Sequence, residues 1–143
     1  MVEFGHLLET FVVGELLKQA SWSDDVAGTG HWRTHDGHEV DLIIERFDGS
    51  VIGFEVKASR QIDTKDARGL IALRNVLGDQ FHAGFVLGTG DTALRIDDRI
   101  YACPINRLWQ ASPDNATSPA SHVETGRPRS THPQDRQAPP GKR

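Results

Sequence analysis

The chain has 143 residues, 37% hydrophobic and 25% charged, with a formal net charge of −4. This balance is typical of a soluble, single-domain globular protein and excludes a fibrous protein. The chain contains no apolar run near the roughly 18 residues of a membrane-spanning helix, and Glu3 and Glu9 stand where a signal peptide would carry Lys or Arg, so we expect a cytoplasmic protein. The single cysteine, Cys103, excludes an intramolecular disulfide framework.

The composition changes at about residue 110. Six of the seven prolines lie in residues 111–143, where Val123 is the one large aliphatic side chain. Such a segment buries too little apolar surface to offset its ordering entropy, so we predict a folded domain over residues 1–110 and a disordered Pro/Ser-rich tail over 111–143. Residues 1–110 carry 11 Lys and Arg against 17 Asp and Glu, a net of −6. An acidic body disfavours DNA binding unless a basic rim or a divalent metal offsets it.

The first predicted element is a helix over residues 3–20, because apolar residues recur at spacings of three and four. Its apolar face is wide and is expected to pack on a sheet. Residues 21–30 predict a loop, residues 31–33 a short strand, and Asp36-Gly37 a turn. The apolar residues that define the helix are Phe4, Leu7, Leu8, Phe11, Val12 and Leu16.

Two strands with period-two patterns follow, at residues 40–45 and 52–58. A second helix, capped by Asp63 or Thr64, is predicted to end at Gly78. A strand at residues 82–87 and a closing hairpin or edge strand at 96–102 complete the order. This order predicts an α/β fold with a mixed central sheet flanked by helices. The residues assigned to one apolar face are Val40, Leu42 and Ile44 on the first strand and Ile52, Phe54, Val56 and Ala58 on the second.

Asp41, Glu55 and Lys57 interrupt these two strands, although an unpaired buried ion costs several kcal/mol. Two connections between the strands are open. A two-residue turn sets Asp41 opposite Val56, whereas a three-residue loop with a left-handed Gly49 sets Asp41 opposite Glu55, with Lys57 on the same face.

Opposed carboxylates about 5 Å apart repel each other unless a proton or a cation lies between them. Two carboxylates, a backbone carbonyl and water suit Mg²⁺, with Mn²⁺ as a second option. Lys57 beside that ion could hold a phosphate oxygen or a water, an arrangement that suits phosphodiester hydrolysis. The alternative is a solvated strand face on which Lys57 forms a salt bridge. Three further cations, Lys65, Arg68 and Arg74, are either phosphate contacts or a solvated face of the second helix.

At these residues the chain resembles the PD-(D/E)XK nuclease superfamily, which pairs an Asp on one strand with E-x-K on the next. Many members add a Glu from the first helix in a G-x-x-x-E pattern, which Gly5 to Glu9 fits; Glu15 is the alternative inward acid. The resemblance implies a restriction-endonuclease-like αβββαβ core. It implies catalysis by Glu9, Asp41, Glu55 and Lys57, and metal binding by Asp41, Glu55, the Val56 carbonyl and Glu9.

A closer likeness is to the domain of unknown function, DUF4143, found C-terminal to prokaryotic AAA-type ATPases. It covers about residues 4–109. The chain contains no G-x-x-x-x-G-K-[ST] phosphate loop, so the likeness does not carry an ATPase function. The segments that carry it are GHLLETFVVGELLKQ, HEVDLIIE, FEVKAS, ARGL and HAGFVLGTG.

The expected function is therefore Mg²⁺-dependent hydrolysis of DNA by a metal-dependent endonuclease. The alternative is a non-catalytic nuclease-fold partner module, or a fragment of an AAA-type ATPase protein without its ATP-binding domain. The expected partners are DNA and either an ATPase chain or a second copy, with no membrane. Catalysis requires a metal at Asp41 and Glu55, whereas a partner module does not.

Residues from about 112 onward are predicted to be dispensable for folding, because they contain almost no large apolar side chains. A truncation after Gln110 is expected to melt within a few degrees of the full chain in a calorimetric scan. A large loss of stability would show that the tail packs on the body.

Overall fold

The computed structural model describes residues 2–109, which form an α/β fold; the predicted tail, residues 111–143, lies outside the described residues. Within residues 2–109 there is no helix long and apolar enough to cross a membrane. The described helices and strands are α1 (Val2–Ala20), β1 (Val26–Arg33), β2 (Glu39–Arg46), β3 (Val51–Val56), α2 (Arg68–Leu77), β4 (Phe81–Gly88), β5 (Leu94–Asp97) and β6 (Ile100–Pro104), with 3-10 turns at Thr64–Ala67, Gly78–Gln80 and Ile105–Trp109.

The strands form one six-stranded mixed sheet in the order β1-β2-β3-β4-β6-β5. In the centre of the sheet, the β3-β4 and β4-β6 pairs are parallel. The β1-β2, β2-β3 and β5-β6 pairs are antiparallel. The predicted α/β class, mixed sheet and closing hairpin are therefore confirmed. The parallel β3 and β4 are joined through α2, as parallel strands require a crossover connection.

Each helix packs on its own hydrophobic cluster. The cluster of α1 contains Val12 and Leu16 with Leu42 and Ile44 of β2. The cluster of α2 combines helix residues with side chains from several strands. The two helices therefore cover opposite sides of the sheet, and strand residues are sorted between them. The buried members of the α2 cluster are Val40, Ala67, Leu70, Leu73, Phe81, Val86 and Ile100.

α1 packs with a narrower face than predicted. Phe4 and Leu7 are 58% and 67% exposed, and Phe11 is exposed as well, whereas Val12 is fully buried. Positions 4, 7 and 11 share one face of the helix at 3.6 residues per turn, and this face is turned away from the sheet. The prediction that α1 packs on the sheet is confirmed, but only part of its apolar face is buried.

β1 begins five residues earlier than predicted. The sequence indicated a loop up to Gly30, because Gly28 and Gly30 are unfavourable in strands. The structure instead pairs this segment with β2 from Val26, opposite Arg46, to Arg33, opposite Glu39. Pairing with a neighbouring strand therefore outweighs the low strand propensity of the glycines.

A β-bulge divides β2. Gly30 pairs with Ile43 and Trp32 pairs with Val40, so two steps along β1 correspond to three along β2. The extra residue turns Val40 toward α2, while Leu42 lies in the α1 cluster. The prediction that Val40, Leu42 and Ile44 share one apolar face is therefore wrong, because a bulge changes which side a strand residue faces.

The β2-β3 connection is the three-residue loop. Ser50 O accepts the Arg46 N–H at 2.9 Å, and Gly49 has a φ of 83°. The ladder runs from Glu45 opposite Val51 to Leu42 opposite Phe54. This is the register of the second predicted alternative, but the pairing ends at Leu42 and Phe54, one step before Asp41 and Glu55.

The N-terminus of α2 lies very close to the ends of β2 and β3. The preceding 3-10 turn is fixed by the predicted cap Asp63, whose side chain accepts from the Lys65 and Asp66 N–H groups. At Gly69, an added Cβ would lie 2.0 Å from the Glu39 carbonyl oxygen and 2.7 Å from Glu55 Oε1. Only a glycine allows this approach of helix to strand.

Gly69→Ala is expected to lower the free energy of unfolding by about 2–3 kcal/mol, because the methyl group meets a backbone carbonyl that cannot move away. Gly14→Ala is the matched control, since a Cβ at that exposed position in α1 meets nothing within 4 Å. There the substitution is expected to raise stability by about 0.5–1 kcal/mol. Chemical unfolding measures both, and a tolerated Gly69→Ala would contradict the close approach.

Candidate functional site

The site is built where β3 leaves β2 but stays paired with β4. The last β2-β3 pair is Leu42 with Phe54, and beyond it Asp41 Oδ2 accepts the Val56 N–H at 2.8 Å. On the other side, Val56 still pairs with Leu87, and the Lys57 N–H donates to Leu87 O at 2.8 Å. A carboxylate thus replaces the missing strand partner at this fork in the sheet.

The fork separates the four predicted residues into two pairs. Asp41 lies on the α1 side, where it shares a side-chain hydrogen bond with Glu9. Glu55 lies on the α2 side, against Gly69, where the positive charge of Lys57 acts on it. Asp41 and Glu55 therefore do not lie side by side on one face as predicted. They line two depressions that share Glu39, and Asp41 reaches the Val56 N–H between them. The Asp41 partner on α1 is Glu9, not the alternative Glu15.

Glu55 is a buried acid without a hydrogen-bond donor. The residue is 5% exposed, and its Oε2 atom has no hydrogen-bond partner among the described residues. Burial raises the pKa of Glu55 to about 8, against the favourable charge of Lys57 and with the help of Asp41 and Glu39. No ion pair within 4 Å joins Lys57 to Glu55 in the described chain. A solvated strand face with a Lys57 salt bridge is thus excluded for Glu55.

Asp41 and Glu9 also hold their protons more tightly than free acids do. Burial raises the pKa of Asp41, while the Val56 N–H and Lys57 act in the opposite direction. Partial burial, then the charge of Asp41 and the shared hydrogen bond, raise the pKa of Glu9. Three neighbouring carboxyl groups at one end of the sheet are therefore costly to ionise, which is the condition that a bound cation relieves.

Two depressions open beside the fork. Glu39 lines both and is held by Arg33, whose Nη2 lies 2.6 Å from Glu39 Oε2. The Glu55 depression, about 280 Å³, is lined by Asp36, Gly37, His38, Glu39, Glu55, Lys57, Lys65, Asp66, Arg68 and Gly69. The Asp41 depression, about 270 Å³, is lined by Glu9, His31, Trp32, Arg33, Glu39, Val40 and Asp41.

Sequence reasoning missed Glu39 and Gly69 as parts of the site. Glu39 acts on the charges of Glu9, Asp41 and Glu55. Its position two residues before Asp41 gave no signal, since an exposed acid at a strand start is ordinary. Gly69 lay within the quoted ARGL segment, and a glycine in a helical pattern often marks a close contact.

A larger depression lies away from the four predicted residues. It measures about 650 Å³ and is bounded by the segment 59–63, Gly88, Gly90 and β6. Its polar groups are largely used within the fold: Ser59 Oγ donates to Gln61 O at 2.8 Å, and Ser59 O accepts the Thr89 N–H at 2.9 Å. The smaller Glu55 depression, with an unpartnered carboxylate oxygen, is the better candidate.

A divalent cation at the fork would need oxygen donors. The unpartnered Glu55 Oε2 is a donor atom that the fold itself leaves unsatisfied. Within the described residues, no three Asp, Glu, His or Cys side chains are grouped so as to hold a metal. Ligation would therefore use Asp41 and Glu55 with the Val56 carbonyl and water, as hard cations accept.

The family model described as "Domain of unknown function (DUF4143)" matches residues 4–108. The chain belongs to the DUF4143 family. The match includes the DUF4143 segments that supply Glu9, the fork and the Glu55 depression, so the candidate site lies wholly within the family domain. A search of curated proteins finds no match to the chain.

Glu55→Gln is expected to stabilise the metal-free protein more as pH rises. Between about pH 4.5 and 8 the folded state keeps a proton on Glu55 that the unfolded chain releases, so the free energy of unfolding falls through this window. The substitution removes that loss, which is on the order of a few kcal/mol.

The comparison is chemical unfolding in EDTA at pH 5 and pH 8.5. The stability difference between Glu55→Gln and the wild type should grow in favour of the variant at the higher pH. Glu45→Gln, an exposed acid on the same sheet, is the control and should leave the pH dependence in place. A stability difference between variant and wild type that does not change with pH would mean that the fold does not raise the pKa of Glu55.

Proposed function

We propose that this DUF4143 domain is a PD-(D/E)XK nuclease-like domain that hydrolyses DNA phosphodiester bonds with Mg²⁺, or with Mn²⁺ in its place. The observation that carries the proposal is the buried Glu55 carboxylate, whose Oε2 lacks a donor, next to Lys57 at the fork. A fold keeps such a group at a cost, and unsatisfied buried acids with perturbed pKa values are concentrated at functional sites.

The architecture supports a restriction-endonuclease-like core. The element order is helix, three strands, helix, strand, followed by the β5-β6 hairpin. Asp41 and Glu55-Val56-Lys57 lie at the same end of the sheet, because β2 and β3 are antiparallel. Glu9 of α1 reaches the same end through Asp41.

Asp41, Glu55 and the Val56 carbonyl would hold the metal ion, and Glu9 would bind or orient through water. A bound ion supplies charge for the phosphoryl oxygens and lowers the pKa of its water. Lys57 would position the nucleophile or a phosphate oxygen; its charge already favours the ionised form of both Asp41 and Glu55. That dual influence lets one lysine prepare both carboxylates for ligation.

The partner-module alternative is favoured by a different observation. The outer face of α1 exposes Phe4 and Leu7, at 58% and 67%. Apolar side chains neighbouring each other on a helix surface are typical of interaction sites. An ATPase chain or a second copy would cover this face whether or not the fork is catalytic.

The test of the proposed function is cleavage of linear, branched and single-stranded DNA by purified protein with Mg²⁺ or Mn²⁺. Lys57→Ala is expected to lose most of the cleavage, by roughly 100-fold or more, since a positioned charge at the reacting phosphate is removed. Calorimetry should show that Lys57→Ala still binds the metal, whereas Asp41→Asn binds it much more weakly.

Lys18→Ala, which removes a distant lysine of α1, controls for contaminating nuclease and for net charge. Cleavage that survives both lysine substitutions equally belongs to a contaminant. If all three DNA forms stay intact and Asp41→Asn binds metal as the wild type does, the partner-module alternative replaces the nuclease.

A further inference from the structure

We propose that Lys65 and Arg68 hold backbone phosphates of the nucleic acid beside Glu55, as positioning residues of the site. This inference rests on the proposed function and extends it to the substrate. It names the element that receives the substrate, the 3-10 turn Thr64–Ala67 with the first residue of α2.

The structure sorts the cations of this segment into two kinds. Arg74 is used within the fold: its Nη1 donates to Asp97 Oδ1 and to Asp98 O, both at 2.8 Å. Lys65 and Arg68 are exposed and line the Glu55 depression together with Lys57. In the described residues neither forms an ion pair within 4 Å. Sequence alone left all three as equal candidates.

The backbone segment that presents Lys65 and Arg68 is held in place by local contacts. Asp63 and Asp66 form a capping box around the turn. Gly69, the residue after Arg68, approaches the Glu39 carbonyl so closely that a Cβ would lie 2.0 Å away. The backbone that presents Arg68 is therefore fixed against the same strands that present Glu55, so little ordering entropy is lost there on binding.

The charge balance makes such a rim necessary for a polyanion. The depression also contains the acids Asp36, Glu39, Glu55 and Asp66. DNA would be repelled from this surface unless cations lie where its backbone passes. Lys57, Lys65 and Arg68 are the three cations that line this depression, and a guanidinium matches a phosphate in a bidentate contact.

The residues that line the Glu55 depression favour contacts to the nucleic-acid backbone over contacts to the bases. Among the described residues, the Glu55 depression is lined by no Phe, Tyr or Trp, and His38 is its one ring on which a base could stack. Contacts to phosphate fix register and orientation but carry no sequence information. The contacts of Lys65 and Arg68 are therefore expected to go to the nucleic-acid backbone and to be independent of sequence.

The test is fluorescence anisotropy of labelled duplex and single-stranded DNA as a function of salt. All proteins carry Asp41→Asn, which blocks hydrolysis by removing a proposed metal ligand. Lys65→Ala and Arg68→Ala are each expected to weaken binding roughly fivefold to tenfold at low salt. Each should also reduce the slope of log affinity against log salt by about one on duplex DNA.

Two sets of controls separate charge from folding. Lys65→Arg and Arg68→Lys keep the charge and should keep most of the affinity and the slope. Lys18→Ala removes one exposed charge from α1, outside the depression, and should leave both unchanged. Melting temperatures within a few degrees of the parent exclude unfolding as the cause.

The outcomes distinguish the two proposals. If the wild type cleaves DNA but the alanine variants bind with unchanged affinity and slope, Lys65 and Arg68 have no such role while the nuclease stands. If DNA binds through Lys65 and Arg68 but the wild type cleaves nothing, hydrolysis fails and the phosphate contacts stand. If the parent protein does not bind DNA, the phosphate contacts are wrong, and if the wild type also cleaves no DNA, the nuclease proposal is wrong with them.

Discussion

The hydrogen bond from the Val56 N–H to Asp41 is the interaction on which the arrangement of the site depends. A backbone N–H in the middle of a sheet must find an acceptor, and here it is a side chain and not the neighbouring strand. Because the Asp41 side chain accepts this hydrogen bond, β2 separates from β3 without leaving the Val56 N–H unpaired, and the fork opens. Asp41 is thus part of the fold as well as of the proposed site.

The fork concentrates negative charge that the fold does not neutralise. Glu9, Asp41 and Glu55 all have raised pKa values because they are buried or near one another. Removing water from an ionised carboxylate costs several kcal/mol unless partners replace it. The charge of Lys57 acts on Asp41 and Glu55 without a direct ion pair, so the negative charge of the site is only partly compensated. Natural proteins tolerate such a loss of stability mainly where function requires it.

The α/β class, the order of elements, the second helix and the cap at Asp63 were predictable from the sequence, because period, capping and turn chemistry are local; the cap, however, belongs to the 3-10 turn that precedes α2. The side on which Asp41 lies was not. It depends on the bulge in β2, which arises from pairing with β1. The sequence does not indicate the full length of β1, because Gly28 and Gly30 are unfavourable in strands. Likewise, the distinction between Arg74 and Arg68 needs the position of Asp97, which is distant in the sequence.

The loop between β2 and β3 combines features that usually permit insertions and deletions: it is short, its Phe47 is 75% exposed, and Gly49 provides its left-handed turn. Yet side chains alternate along a strand, so a change of one residue in the loop would offset β3 against β2 by one position. Glu55 would then exchange sides with Val56, and a carboxylate would enter the apolar layer beneath α1. Among relatives, this loop should therefore vary in composition and hardly in length.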